Sequence, residues 1–123
     1  MDDDRQPIAL EILDAIARGG LPLERFTADA HWWWNGGLDL AVTAFDELLA
    51  GLHAQMERGI VVTPGLILQQ DGTVMVEATS DGLLKNGNLY NNRYVFLFHF
   101  EGGVVREVRE YSDSAHVLAT FEL

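Results

Sequence analysis

The strongest constraint on the fold is a segment of alternating aromatic side chains between Tyr90 and Phe100. Every second position in it carries a ring or an amide, and these positions are Tyr90, Asn92, Tyr94, Phe96, Phe98 and Phe100. A period of two places them on one face of a β-strand. Because five large rings on one sheet face need a cover, the segment predicts a strand packed against other elements.

A tight turn follows this aromatic strand. The turn residues are Glu101-Gly102-Gly103, and the chain returns through Val104–Tyr111, which is rich in β-branched side chains. Two strand-like segments on either side of a glycine turn predict a β-hairpin.

The first half of the chain is predicted to supply mainly helices. Pro7 begins an amphipathic helix that Gly19-Gly20 ends, and a short second helix covers Leu21–Phe26. A brief strand is expected over His31–Asn35. Apolar residues at helical spacing then predict the longest helix from about Leu40 to Arg58.

The second half is predicted to supply strands. Ile60–Thr63 and Leu66–Gln70 are expected to form a strand with a bend at Pro64-Gly65, and Thr73–Ser80 forms the next one. The tail Ala115–Phe121 fits either a helical turn or a continued strand. The order predicts a single α+β domain over residues 1–123, a curved antiparallel sheet packed against two or three N-terminal helices. A cavity between these layers would suit a small ligand.

Charge and composition narrow the range of partners. The chain has 123 residues, with 19 acidic and 8 basic side chains and a formal charge of −11, which disfavours nucleic acid and anionic membrane surfaces. It has no cysteine, and the four histidines lack the spacing of a metal site. No apolar run approaches the roughly 18 residues of a membrane span, and no signal peptide is evident. We expect a cytoplasmic protein without metal or cofactor.

Several motifs together resemble a known family. They are Ala28–Trp32, Tyr90–Tyr94 with the phenylalanines after it, and the Gly102-Gly103 turn that leads to Arg109–Asp113. These resemble the SnoaL-like, ketosteroid-isomerase-related branch of the nuclear-transport-factor-2-like superfamily. The resemblance implies a cone-shaped α+β barrel, a pocket between helices and concave sheet, and a homodimer through the convex face. The superfamily includes isomerases, cyclases, hydrolases and non-catalytic binding proteins on one scaffold.

Two activities of this superfamily are disfavoured by the residues present. A ketosteroid isomerase needs a general base, an oxyanion tyrosine and a protonated aspartate. At the positions that the resemblance assigns to these three groups, the chain has Asn35, Ile12 and Phe96, respectively. None of these side chains can replace the carboxylate base, the phenol or the carboxylic acid that the reaction needs. Limonene-epoxide-hydrolase-like enzymes need an aspartate two residues after an arginine, whereas Arg93 is followed at that distance by Val95.

A SnoaL-like cyclase is the better match, since the resemblance places its acid/base aspartate at Asp113. Asp113 could instead cap the following turn, and His116 could pair with it. Strand parity allows two registers. One turns Asp113 and Tyr111 toward the pocket, which we favour, and the other turns Glu110 and Ser112 inward.

The expected ligand contacts come from rings and amides. Trp33 with Tyr94, Phe96 and Phe98 would form an aromatic wall, while Trp32 and Trp34 would pack in the core or an interface. Asn35 and Asn92 could bind a carbonyl or hydroxyl group.

The sequence therefore predicts a small-molecule pocket protein, a cofactor-free isomerase, cyclase or lyase that acts by proton transfer on a hydrophobic carbonyl-containing substrate. The alternatives are a non-catalytic protein that binds a small apolar ligand and a protein-interaction dimer.

Overall fold

The chain folds as helices and strands in a mixed order. A computed structural model describes residues 3–122. Within that range the helices are α1 (Arg5–Ala17), a 3-10 turn (Leu23–Arg25), α2 (Val42–Ala54) and α3 (Ser114–Thr120). The strands are β1 (Phe26–Trp34), β2 (Leu38–Ala41), β3 (Met56–Gln70), β4 (Thr73–Leu84), β5 (Asn92–Glu101) and β6 (Val104–Ser112). The predicted α+β class is confirmed.

The six strands form one open sheet in the order β2-β1-β6-β5-β4-β3. The last four strands make the predicted antiparallel meander. The first strand differs from the expectation, because β1 runs parallel to β6 and makes the sheet mixed. Within the meander β6 pairs only with β5, so its other edge is free to pair with β1, which comes from the N-terminal part of the chain. The sheet ends at β2 and β3 and does not close into a barrel.

The alternation in β5 is confirmed. Tyr94, Phe96 and Phe98 are buried, whereas Val95 and Leu97 between them are partly exposed. Helices cover the buried face. The Phe45 ring of α2 stacks on Trp32 of β1, with 4.2 Å between ring centroids and an angle of 7° between planes.

Helix α2 is shorter than the predicted helix over Leu40–Arg58. Residues Leu38–Ala41 are a strand that pairs with β1 through Trp33 and Asp39, and β3 begins already at Met56. Pairing with a neighbouring strand therefore overrides the helical pattern at both ends. The undecided tail is helical, as α3.

The helices are short. Both α1 and α2 have 13 residues, and α3 has seven. No helix within residues 3–122 has the length and apolar character needed to cross a lipid bilayer.

Two matched valines test the assignment of the sheet faces. Val76 of β4 is fully buried, whereas Val61 of β3 is 63% exposed. Val76→Ala should lower the free energy of unfolding by about 2 kcal/mol, because it removes two buried methyl equivalents and leaves a void. Val61→Ala should change it by less than about 0.5 kcal/mol. Urea denaturation of both variants measures the difference, and equal losses would contradict the assignment.

Candidate active site

A cavity of about 100 Å³ lies between the helices and the buried face of the sheet. Its wall is mostly apolar, and its polar groups come from four side chains besides the indole of Trp34: His53, Tyr90, Tyr94 and Glu110. Pockets for drug-sized ligands usually measure roughly 300–1,000 Å³. This cavity as it stands therefore suits a compact ligand.

Glu110 is the carboxylate in the cavity wall among the described residues. It lies on β6, opposite Phe96 of β5 and beside Trp34 of β1. The Trp32 indole Nε1 donates a hydrogen bond of 2.8 Å to Glu110 Oε1. The other carboxylate oxygen, Oε2, has no hydrogen-bond partner within residues 3–122, and the Glu110 side chain forms part of the cavity wall. One oxygen is thus held in place by Trp32, and the other has no partner among the described residues.

The surroundings of Glu110 change its acidity. Burial among apolar side chains disfavours the charged form and raises the pKa of the carboxyl from 4.5 to about 7. The hydrogen bond from Trp32 acts in the opposite direction and offsets only part of that rise. Near neutral pH both the acid and the carboxylate are therefore populated.

A chain of buried hydrogen bonds ends at the Tyr90 hydroxyl. The backbone N–H of Asn92 donates to Ser80 Oγ, which lies 2.9 Å from the Tyr94 hydroxyl. Tyr94 then donates to the Tyr90 hydroxyl at 2.8 Å, and Asn92 Nδ2 donates to the same oxygen at 2.9 Å. Tyr90 accepts both of these bonds, and its own proton has no acceptor within residues 3–122. Burial raises the pKa of Tyr90 to about 12, so it remains a donor at neutral pH.

Asp113 and Tyr111 do not lie in the cavity wall, so the favoured register was wrong. The Asp113 carboxylate is exposed and accepts from the backbone N–H of His116 at 3.1 Å, which caps α3. Tyr111 is 37% exposed on the opposite sheet face. The cause is the pairing of β6 with β5, in which Glu110 lies across from the inward-facing Phe96. The alternative register, with Glu110 inward, is the one observed.

The predicted aromatic contacts lie on both faces of the sheet. Tyr94 and Phe96 line the cavity as expected. Trp33 packs on the outer face, where the Arg109 guanidinium lies 4.1 Å from its ring centroid and Tyr111 lies beside it. The homodimer expected through that outer face stays a prediction.

The two predicted amides have structural partners. Asn35 exchanges hydrogen bonds with the backbone of Ser112, so it ties the end of β1 to β6. Asn92 is buried and does not line the cavity, but it donates to Tyr90 and accepts from the backbone N–H of Asp113. Asn92 therefore holds the Tyr90 hydroxyl in place and makes no contact with the cavity itself.

Tyr90 and His53 were not predicted as site residues. The sequence shows Tyr90 only as a member of the alternating aromatic row, and its spacing does not distinguish it from a residue of the hydrophobic core. His53 stands alone on a helical stripe, where a single histidine carries no sequence signal of its own. Within residues 3–122 no group of three His, Cys, Asp or Glu side chains is arranged to hold a metal ion.

Comparison with known proteins identifies the fold. No family model and no curated protein matches the sequence. A candidate SnoaL-like polyketide cyclase from Jannaschia sp. CCS1 matches in structure, with a TM-score of 0.81 and 17% identity over 98% of this chain and 96% of that one. A protein with a ketosteroid isomerase-like fold from Catenulispora acidiphila DSM 44928, in complex with trimethylamine, also matches in structure. Its TM-score is 0.78, with 19% identity over 92% of this chain and 90% of that one. TerC co-crystallised with polyporic acid matches with a TM-score of 0.78 and 15% identity over 96% of this chain and 98% of that one.

These similarities confirm the predicted resemblance at the level of structure. The chain has the α+β fold of nuclear-transport-factor-2-like proteins, and its structural neighbours include SnoaL-like and ketosteroid-isomerase-like members. Identities this low show the fold alone, because many reactions share this scaffold.

Substitutions at Asp113 test its role as a helix cap. Asp113→Ala should lower the free energy of unfolding by about 0.5–2 kcal/mol, since the amide of His116 loses its acceptor. Asp113→Asn keeps an acceptor oxygen and should cost much less. Chemical denaturation at pH 7 distinguishes them, and an alanine variant as stable as the native chain would show that the cap does not form.

The raised pKa of Glu110 makes stability depend on pH. Between pH 4.5 and about 7 the folded state holds a proton that the unfolded state has released. The free energy of unfolding should therefore fall as pH rises through this window. Glu110→Gln removes the fall and should be more stable than the native chain at pH 8 by up to about 3 kcal/mol.

Urea denaturation of both proteins at pH 4 and pH 8 measures this effect. The advantage of the Gln variant should be present at pH 8 and nearly absent at pH 4. A difference independent of pH would mean that Glu110 titrates normally.

Proposed function

We propose that the protein is a cofactor-free enzyme that moves a proton at the carbon next to a carbonyl group of a compact hydrophobic molecule. Glu110 is the acid/base group. One observation carries the proposal: a carboxylate in the wall of an apolar cavity is fixed through Oε1 by Trp32, while its Oε2 has no hydrogen-bond partner within residues 3–122. The reaction classes that fit are isomerisation, cyclisation and elimination.

The acidity of Glu110 suits this task. A proton-transfer group works best when its pKa lies near the operating pH, because it then both takes up and returns the proton. A carboxylate becomes a stronger base as its pKa rises, and burial brings this carboxyl to about 7. The exclusion of water also strengthens the interaction of the carboxylate with a bound C–H group.

The Tyr90 hydroxyl supplies the complementary group. When Glu110 takes the proton, the C–H electron pair moves into the carbonyl group and charge develops on its oxygen. Tyr90 can donate its unused proton to that oxygen, and the two hydrogen bonds that it accepts make it a stronger donor. Return of the proton to another carbon completes an isomerisation. Attack of the carbanion on a second carbonyl, or loss of a leaving group, gives the other two classes.

The structural neighbours support the class of ligand. One is a candidate polyketide cyclase, and another was co-crystallised with polyporic acid. The cavity of about 100 Å³ points to a smaller molecule for this chain, or to one that widens the cavity on entry. An engineered apolar cavity of about 150 Å³ holds one benzene ring, so a single-ring ketone is a reasonable first probe.

Exchange of carbon-bound hydrogen tests the proposal directly. In D₂O, nuclear magnetic resonance should show that the native protein catalyses deuterium uptake at the methyl group of acetophenone. Glu110→Gln should slow this uptake by about 10²–10⁴-fold, the usual contribution of a general acid/base group. Glu107→Gln is the matched control, because it removes a carboxylate from the same strand on the outer face, where Glu107 lies near His99 and Arg109.

The pH profile gives a second readout. Since the carboxylate form of Glu110 takes the proton, the rate should rise with pH and level off above about 7. The Gln variant should show no such inflection. If acetophenone and cyclohexanone both bind but exchange no faster with the native protein than with Glu110→Gln, the protein is a binder and not a proton-transfer enzyme.

A further inference from the structure

Three buried hydroxyl groups, those of Ser80, Tyr94 and Tyr90, are joined by hydrogen bonds into a hydroxyl chain. The strand register places Ser80 of β4 opposite Asn92 of β5, and the two tyrosines lie two residues on either side of Asn92. All four side chains are buried. Ser80 Oγ lies 2.9 Å from the Tyr94 hydroxyl, which lies 2.8 Å from the Tyr90 hydroxyl. The direction of these bonds decides which hydroxyl can donate outside the hydroxyl chain.

The hydroxyl chain has one proton more than it needs. Its three hydroxyls carry three protons, but only two links join them, from Ser80 to Tyr94 and from Tyr94 to Tyr90. One proton is therefore left without an acceptor inside the hydroxyl chain. If the bonds run toward Tyr90, the spare proton belongs to Tyr90. If they run the other way, it belongs to Ser80.

Asn92 supplies a donor to each end of the hydroxyl chain. Its backbone N–H donates to Ser80 Oγ at 3.1 Å, and its side-chain Nδ2 donates to the Tyr90 hydroxyl at 2.9 Å. The side-chain amide is fixed in this orientation, because its Oδ1 accepts from the backbone N–H groups of Arg93 and Asp113 at 2.7 and 3.1 Å. Both ends of the hydroxyl chain thus receive N–H groups, which only donate.

The surroundings of the two ends favour one direction. Ser80 is buried and does not line the cavity, whereas the Tyr90 side chain forms part of the cavity wall. A spare proton on Ser80 would be buried without an acceptor among the described residues, which is unfavourable. A spare proton on Tyr90 belongs to a side chain that borders the cavity instead. Hydrogen bonds that run from Ser80 through Tyr94 to Tyr90 are therefore favoured.

We propose that Asn92 and Ser80 are positioning residues that hold the hydroxyl chain in this direction and so keep Tyr90 a donor toward the ligand. The inference rests on the proposed function, in which Tyr90 donates to a carbonyl oxygen, and it identifies the residues that keep this donor available. It also narrows the ligand, because the group that meets Tyr90 must accept a hydrogen bond. A carbonyl oxygen does so, whereas an ammonium group only donates.

Neutron diffraction from crystals of the perdeuterated native protein locates the hydroxyl deuterons directly. The Ser80 deuteron should point to the Tyr94 oxygen, and the Tyr94 deuteron should point to the Tyr90 oxygen. The Tyr90 deuteron should point to neither Tyr94 nor Asn92. A Tyr90 deuteron directed at the Tyr94 oxygen would overturn the inference.

Replacement of Asn92 reverses the hydrogen bond at Tyr90. Asn92→Asp exchanges the Nδ2 donor for a carboxylate oxygen, which accepts the Tyr90 proton and withdraws it from the ligand. Deuterium uptake by acetophenone should then slow by about 10²–10³-fold, the usual loss for a missing oxyanion donor. Tyr90→Phe should slow it to the same level. Native exchange rates in Asn92→Asp would contradict the positioning role.

Replacement of Ser80 removes the other end of the hydroxyl chain. In Ser80→Ala the Tyr94 oxygen is free to accept from Tyr90, so exchange should slow by roughly 3- to 10-fold, the value of one neutral hydrogen bond. The midpoint of the pH profile should stay near 7, because Glu110 is unchanged. Thr79→Ala is the matched control, since it removes a hydroxyl from the adjacent, exposed position of β4 and should keep the native rate. Equal rates in Ser80→Ala and Thr79→Ala would refute the role of Ser80.

The two kinds of measurement separate this inference from the proposed function. Deuterons in the expected positions, in a native protein that does not catalyse exchange, would refute the proposed reaction and leave the direction of the hydroxyl chain standing. The opposite direction in a protein that does catalyse exchange would refute the inference alone. Because the deuterons are located in the native protein, the test remains decisive if a variant does not fold.

Discussion

The pairing of β6 with β5 is the constraint on which the site depends. It sets Glu110 across from Phe96 and Val108 across from Phe98, so the carboxylate shares the buried face with the aromatic row. Side chains alternate along a strand, and a slip of one residue would turn Glu110 outward and Tyr111 inward. The parallel partner β1 then brings the Trp32 indole to the carboxylate. Fold and chemistry are thus fixed by the same register.

Burial of this carboxylate works against stability. An ionised group in an apolar wall is unfavourable, and one hydrogen bond from Trp32 compensates only partly. The unpaired Nδ1 of His53, a buried atom in α2, adds a second unfavourable group. Proteins retain such groups mainly at functional sites. The rest of the core, built on tightly packed rings such as Trp32 and Phe45, supplies the compensating free energy.

Local patterns predicted much of the fold, because alternation in β5 and helical spacing in α1 report directly on burial. They could not predict the parallel pairing of β1 with β6, which joins segments far apart in the chain. The same limit applied to the site. Asp113 and Glu110 are three residues apart, and only the strand register, a property of the paired sheet, decides which one faces the cavity. The role proposed for Tyr90 depends on its hydrogen bonds to Asn92 and Tyr94, which sequence spacing does not reveal.

The proposed function requires that Glu110 exchanges a proton near neutral pH inside the cavity. A ¹³C nuclear magnetic resonance titration of the glutamate side-chain carboxyls, with the Glu110 signal assigned by its loss in Glu110→Gln, measures this directly. A carboxyl buried in the apolar wall should titrate with a midpoint near pH 7. A midpoint near 4.5, the value of an ordinary glutamate, would show that the carboxylate is solvated and that Glu110 does not exchange a proton near neutral pH.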